Sequence, residues 1–262
     1  MTEATSLSGP PIDPATPLRL DGRIAVVTGA GGGIGSAIVD LFDTLGAKVV
    51  ASDVSAEALA RLPQSSAGGM PVQADVGTRA GCDGLIAEVI RRHGRIDILV
   101  NNAALLIRKE IDEYEDEDWD RTFDVNLRSQ FLLCRAASRS MKENRWGRIV
   151  NLAASNVYNG GLYQSAVYAI AKGGTLTLTR SFASRLAPFG ICVNTVAPGP
   201  VDTPMFRYKL TEADITEFLG RMPVRRIAHP IELARAIAFL CSDWASYITG
   251  QVIDVNGGQI MR

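Results

Sequence analysis

Histidine and paired cysteine are nearly missing from this chain. Its 262 residues include two histidines, His93 and His229, each isolated, and four cysteines, Cys82, Cys134, Cys192 and Cys241, with no Cys-x-x-Cys pair. A Ser-His-Asp hydrolase, a His-rich metal site and dithiol chemistry are poorly supported, so no metal is expected. Unpaired, scattered cysteines suit a reducing cytosol, and the expected location is cytoplasmic. Charge of one sign is also missing: the formal net charge is −1, which suggests no nucleic acid partner. No apolar run approaches the ~20 residues of a membrane span. No Lys or Arg precedes Arg19, which argues against a secretory signal, and no membrane partner is expected.

What is present is apolar residue in quantity, 47% of the chain, enough for a large core. Residues 1–18 carry Pro10, Pro11, Pro14 and Pro17 and read as a flexible tail outside the fold. From 19 to 262, short apolar runs alternate with helical patterns. Strands are predicted at 23–28, 47–52, 70–74, 96–100, 147–153, 191–196 and 251–255. Helices are predicted near 34–45, 55–62, 78–93, 117–142, 166–187 and 230–241. This alternation predicts an α/β fold: a single-domain, doubly wound (Rossmann-type) seven-stranded parallel sheet with helices on both faces. The acidic run Glu110 to Asp120 reads as a solvated helix start, where carboxylates suit the dipole. Thr175-Leu176-Thr177-Leu178-Thr179 alternates like a strand, yet falls in the expected 166–187 helix. Gly173-Gly174 within that helix suggests close packing against another subunit.

Two motifs carry chemistry. Thr28-Gly29-Ala30-Gly31-Gly32-Gly33-Ile34-Gly35 lies between an apolar strand and an amphipathic helix. Such a turn brings backbone close to a ligand, and the helix N-terminus offers free N–H groups to an anion such as a pyrophosphate. A plain tight loop is the alternative. The second motif is Tyr168-Ala169-Ile170-Ala171-Lys172, which on a helix puts phenol and ammonium on one face, one turn apart. A cation near a phenol favours the phenolate, by about two pKa units at roughly 5 Å and an effective dielectric of about 20. That would suit a general acid/base. Taken alone, the same spacing arises by chance in many helices.

On these residues the chain resembles the short-chain dehydrogenase/reductase family. Further matches are Asp75-Val76, Asn101-Asn102-Ala103-Ala104, Asn126, Pro198-Gly199, Thr203, and the tail from Thr249-Gly250-Gln251 to Gly257-Gly258. The resemblance covers roughly residues 19–262. It implies an enzyme, an oxidoreductase moving a hydride between NAD(H) and a secondary alcohol or ketone, with a sugar, polyol or small hydroxy acid as first expectation. A 3-oxoacyl thioester reductase is the alternative, weakened because such relatives usually take NADPH. A non-catalytic NAD-binding sensor or scaffold is a reading of another class.

The resemblance assigns Tyr168 as acid/base, with Lys172 lowering its pKa and binding the nicotinamide ribose, and Asn126 holding a water for proton relay. It calls for a serine to orient the substrate oxygen. Ser155, thirteen residues before Tyr168, fits that spacing, whereas counting from Gly147-Arg148-Ile149 gives Ala154; Ser155 alone has a hydroxyl. The cofactor set is Gly29, Gly33, Ile34, Gly35, Asp53, Asp75, Val76, Asn102, Ala103, Tyr168, Lys172, Pro198, Gly199 and Thr203. Asp53, eighteen residues past Gly35, suits ribose hydroxyls and would repel a 2′-phosphate, so NAD is expected over NADP. The alternative is that Asp53 caps the helix starting near Ser55. Residues between Tyr158 and Tyr163 and the amphipathic segment 204–222, read as a lid, would border the substrate. Arg108 or Arg207 would meet an anionic substrate, or both are solvated surface residues. The family implies a homo-oligomer, tetramer or dimer, and a small-molecule substrate.

Overall fold

The computed structural model describes residues 15–65, 68–161, 165–220 and 222–261. Most of the expected tail (1–14), residues 162–164 and residue 221 of the expected lid lie outside the described residues.

The chain runs β1 (Ile24–Thr28), α1 (Ile34–Thr44), β2 (Lys48–Asp53), α2 (Ala56–Ala60), β3 (Met70–Gln73), α3 (Arg79–His93) and β4 (Ile98–Asn101). It continues with α4 (Asp116–Phe123), α5 (Ser129–Asn144), β5 (Gly147–Leu152), α6 (Ala166–Leu186) and β6 (Ile191–Pro198). Helices α7 (Pro204–Arg207) and α8 (Glu212–Gly220), then α9 (Pro230–Cys241) and β7 (Val252–Val255), complete it. All seven strands lie parallel in one sheet, in the order β3-β2-β1-β4-β5-β6-β7.

The period of two along β1 shows why Ile24 to Val27 are all apolar. Ala25 and Val27 pack on one face with Ile38 and Phe42 of α1 and Leu233 and Ile237 of α9. Ile24 and Val26 pack on the other with Leu85 of α3, Leu133 and Met141 of α5 and Leu186 of α6. Each such large side chain contributes about 1.5–3 kcal/mol by leaving water. The strand order reverses between β1 and β4, so a crevice opens beyond their carboxyl ends.

Two local features depart from the sequence reading. The expected helix 117–142 is interrupted by a π-helical turn, Asp124–Arg128, between α4 and α5. Asn126 sits in it, fully buried, and its Nδ2 donates to the Thr122 carbonyl four residues back (2.8 Å) and to the Leu105 carbonyl (2.8 Å). A side chain that takes up a helical carbonyl permits the widened turn. In α6, Gly174 explains itself within the chain: a Cβ there would lie 2.7 Å from Leu127 Cδ2 of the π-turn, so the close approach is intramolecular. The alternating Thr175–Thr179 segment is helical because Tyr168, Lys172, Thr175, Leu176, Thr179 and Ala183 are all buried at helical spacing. Tertiary burial outweighs the local pattern.

Candidate active site

The glycine turn is stapled to β4. Asn102 Nδ2 donates to the carbonyls of Thr28 and Gly29 (both 2.9 Å), while Thr28 Oγ1 accepts from the Asn102 and Ala103 amides (3.1 Å each). The chain crowds here so closely that a Cβ on Gly35 would stand 2.0 Å from the Gly29 carbonyl oxygen. Gly33 precedes α1 with φ 57°, a conformation that favours glycine. Asp53 ends β2 beside the same turn. Its Oδ2 accepts from Gly31 N (2.9 Å) and its Oδ1 from Ser55 N (3.0 Å). Ser55, not Asp53, caps α2, through Ala58 N (3.1 Å). The Asp53 carboxylate is thereby fixed, and each oxygen keeps a free lone pair.

Helix α6 brings up the second motif. Ser165 caps it, accepting from Tyr168 N (3.2 Å), and is itself tied to Tyr114 Oη (2.6 Å), which donates to Ile107 O (2.9 Å). The loop after β4 and the start of α6 are thus one unit. Tyr168 and Lys172 are buried one turn apart, with the ammonium 5.6 Å from the phenol ring centroid. Lys172 Nζ donates to Leu152 O at the end of β5 (2.8 Å).

In the ligand-free protein, burial opposes the expected lowering of the phenol. Burial pushes Tyr168 above the ordinary phenol range and pushes Lys172 down to about 7. Desolvation disfavours both charged forms, and a lysine so weakened carries only part of the charge that would stabilise a phenolate.

One cleft of about 340 Å³ gathers Gly29, Gly33, Ile34, Asn102, Ala103, Ser155, Tyr168, Lys172, Pro198, Gly199 and Thr203. Gly35, Asp53, Asp75, Val76 and Asn126 lie off its wall. Asp75 is exposed and accepts from Gly77 N (2.9 Å), Val76 packs into the core beside α3, and Asn126 is buried behind, accepting from Leu105 N (3.2 Å). Ser155 and Ala154 both line the cleft, and Ser155 Oγ donates to Gln259 Oε1 (2.9 Å). Asn256 donates to Ile260 O (2.9 Å) and accepts from Gly258 N (3.0 Å). An aspartate would lack that donor, which accounts for an amide here. The Pro198-Gly199 turn abuts it: a Cβ on Gly199 would lie 2.7 Å from Asn256 Cα.

Gln259, Tyr114 and Ser165 were not singled out by the sequence reading. The Tyr114–Ser165 contact spans 51 residues and the Ser155–Gln259 contact 104, beyond any local pattern.

Helices α7 and α8 form the outer wall. Thr203 caps α7 through Phe206 N (3.2 Å), and Phe206 meets Phe218 of α8 edge to face at 6.0 Å. Met205, Phe206 and Phe218 face the cleft.

A glycine cradle at the N-terminus of a helix, a fixed carboxylate one strand over and a buried Tyr–Lys pair at a strand-order reversal define a dinucleotide-dependent oxidoreductase fold. The chain belongs to the short-chain dehydrogenase/reductase family, and residues 29–259 match the family described as Enoyl-(Acyl carrier protein) reductase. It is 39% identical over 246 residues to (2S)-[(R)-hydroxy(phenyl)methyl]succinyl-CoA dehydrogenase subunit BbsD of Thauera aromatica, covering 92% of this chain and 98% of that protein. It is 38% identical over 249 residues to 3-oxoacyl-[acyl-carrier-protein] reductase FabG of Thermotoga maritima, covering 93% and 100%. The crystal structure of gox2181 superposes with a TM-score of 0.85 at 32% identity, covering 92% of this chain and 97% of that one. Among the described residues no helix is long and apolar enough to cross a membrane.

Proposed function

We propose that this protein is an NAD(H)-dependent oxidoreductase that interconverts a secondary alcohol and a ketone. The observation that carries the reading is the buried Tyr168–Lys172 pair in the same cleft as the glycine turn. The cradle fits a dinucleotide: Gly29, Gly33, Ile34 and Gly35 take the pyrophosphate at the α1 N-terminus, and Asp53 takes the adenine ribose hydroxyls. Asp75 and Val76 flank the adenine, Lys172 binds the nicotinamide ribose, and Asn102, Ala103, Pro198, Gly199 and Thr203 surround the nicotinamide. When bound, that ring supplies or accepts the hydride.

The residues of the chain handle the proton. Burial favours the protonated Tyr168 Oη, which donates to the substrate oxygen in reduction; in oxidation the phenol first passes its proton toward Lys172 and then takes that of the alcohol. Ser155 orients that oxygen, which replaces Gln259 as the partner of its hydroxyl. Both Nδ2 protons of Asn126 are committed, so its water link to Lys172 runs through an acceptor, either Oδ1 or its own carbonyl. Segment 204–222 closes over the substrate. Trp119, Phe131 and Ile170 on α4, α5 and α6 are exposed apolar residues that support a dimer or tetramer. The proposed location is cytoplasmic.

For the substrate, a hydroxy acid, sugar or polyol is one reading. A 3-oxoacyl or 3-hydroxyacyl thioester is the other, favoured by the names of the relatives FabG and BbsD. A screen of alcohols and 3-hydroxyacyl thioesters with NAD and NADP, read at the NADH absorbance, tests the whole. Turnover with NAD at a kcat/KM at least about tenfold above NADP is expected, a difference of about 1.4 kcal/mol. Equal values would remove Asp53 as the discriminating group, and no turnover with either cofactor would remove the enzyme reading.

A further inference from the structure

The wall of the catalytic cleft carries two cations, Arg108 and Lys172, and among the described residues no aspartate or glutamate. Lys172 is accounted for by the reaction. Arg108 is not. It follows β4 by seven residues and is half-buried where the cleft meets the lid. Its Nη1 donates to the Tyr208 carbonyl and its Nη2 to the Phe206 carbonyl (3.4 Å). Its Nε is buried with no hydrogen-bond partner. Among the described residues its guanidinium forms no ion pair. Arg207, the other candidate, is spent elsewhere, on Asp202 (3.0 Å) and Glu212 (3.6 Å) at the surface. Arg108 also lines the adjoining outer recess, where the acids Asp214 and Glu217 lie, but among the described residues it makes an ion pair with neither, and neither acid lines the catalytic cleft.

A desolvated guanidinium with an orphaned donor and two neutral carbonyl partners is incompletely compensated. Carbonyl dipoles satisfy protons but do not neutralise the charge. A ligand anion would do so, and the planar fork of arginine matches a carboxylate or phosphate. Leu106, Met205, Phe206 and Phe218 beside it are apolar, which suits an uncharged carbon body between the reacting oxygen and the anion.

We propose that Arg108 fixes an anionic group of the substrate, so that the substrate is a hydroxy or oxo compound of modest apolar body bearing a carboxylate or phosphate. This rests on the oxidoreductase reading above and narrows its substrate class. Neutral sugars, polyols and simple alcohols are then poor substrates. The same contact couples substrate to lid, because Arg108 already holds the lid carbonyls.

The test compares 3-hydroxybutyrate, its methyl ester and its CoA thioester in wild type, Arg108→Gln and Arg108→Lys. A charged hydrogen bond contributes about 1.5–3 kcal/mol, or roughly 10- to 150-fold. The wild type is expected to prefer the acid or the CoA thioester to the ester in kcat/KM. Arg108→Gln should lower that anion-to-ester ratio about 30-fold, with Arg108→Lys between. A ratio that falls for the acid assigns a carboxylate as the anion; one that falls for the CoA thioester alone assigns the phosphates. An unchanged ratio, with all three compounds losing rate together, would mean that Arg108 only latches the lid and would overturn the proposal. So would a wild type that prefers the ester, which leaves the oxidoreductase reading intact. No turnover of any alcohol or ketone with either cofactor would overturn both.

Discussion

The two walls of the cleft are held by different kinds of contact. On the β1–β4 wall, the backbone itself is the ligand-facing surface, fixed by Thr28, Asn102 and Asp53 through hydrogen bonds of 2.9–3.1 Å to main-chain atoms. On the α7–α8 wall, the surface is side chain: Met205, Phe206 and Phe218, with Arg108 reaching across from the loop after β4. The first arrangement can serve one ligand shape and tolerates little change. The second has loose tolerances and can be retuned by substitution, which is where relatives that share a cofactor can diverge in substrate.

The contrast can be broken at its glycines. Gly35→Ala places a methyl group against the Gly29 carbonyl, and a loss of NADH affinity of at least about 100-fold, with a lowered Tm, is expected. Gly220→Ala at the end of α8 meets nothing within 4 Å and should be neutral or stabilising by up to about 1 kcal/mol. If fluorescence titration and thermal melts show equal losses for the two, the walls do not differ as described.

The floor between the walls gives the next largest effect. The lysine at 172 is lowered by burial from 10.5 to about 7, so above pH 7 the unfolded chain binds more protons there than the folded one. Stability of the ligand-free protein should therefore rise with pH between 7 and 8.5, at most about 1.4 kcal/mol per unit. Below pH 7 this contribution flattens. Lys172→Met should lose that slope in denaturant titrations, whereas identical slopes would show that the ammonium is not desolvated. The smallest effect belongs to the lid surface: Arg207→Ala, removing exposed ion pairs, should change kcat/KM less than about twofold. A tenfold loss in initial-rate measurements would move Arg207 from the surface into the substrate wall.

The same contrast decides what was legible in the sequence. The glycine turn and Tyr168–Lys172 are local spacings, and the parallel sheet follows from strands alternating with helices. Asn102 could be placed because it directly follows a strand. The π-turn at Asn126 was not legible, since the side chain that takes up the Thr122 carbonyl is held in place by Leu105, twenty-one residues away. Ser155 and Ala154 could not be separated by counting, and both prove to line the cleft, with the hydroxyl turned to Gln259. Arg108 was one of two candidates until its neighbours, 98 and 100 residues on, came into view. Sequence spacing reports the proximity of Tyr168 and Lys172 but not their burial, which disfavours the charged form of each.

The most direct measurement is on the Tyr168→Phe variant, with NADH binding followed by fluorescence and ketone reduction followed by absorbance in the same preparation. Affinity within about threefold of wild type and a kcat reduced about 10³-fold would place the reacting proton on the buried phenol. Reduction at the parental rate would contradict it.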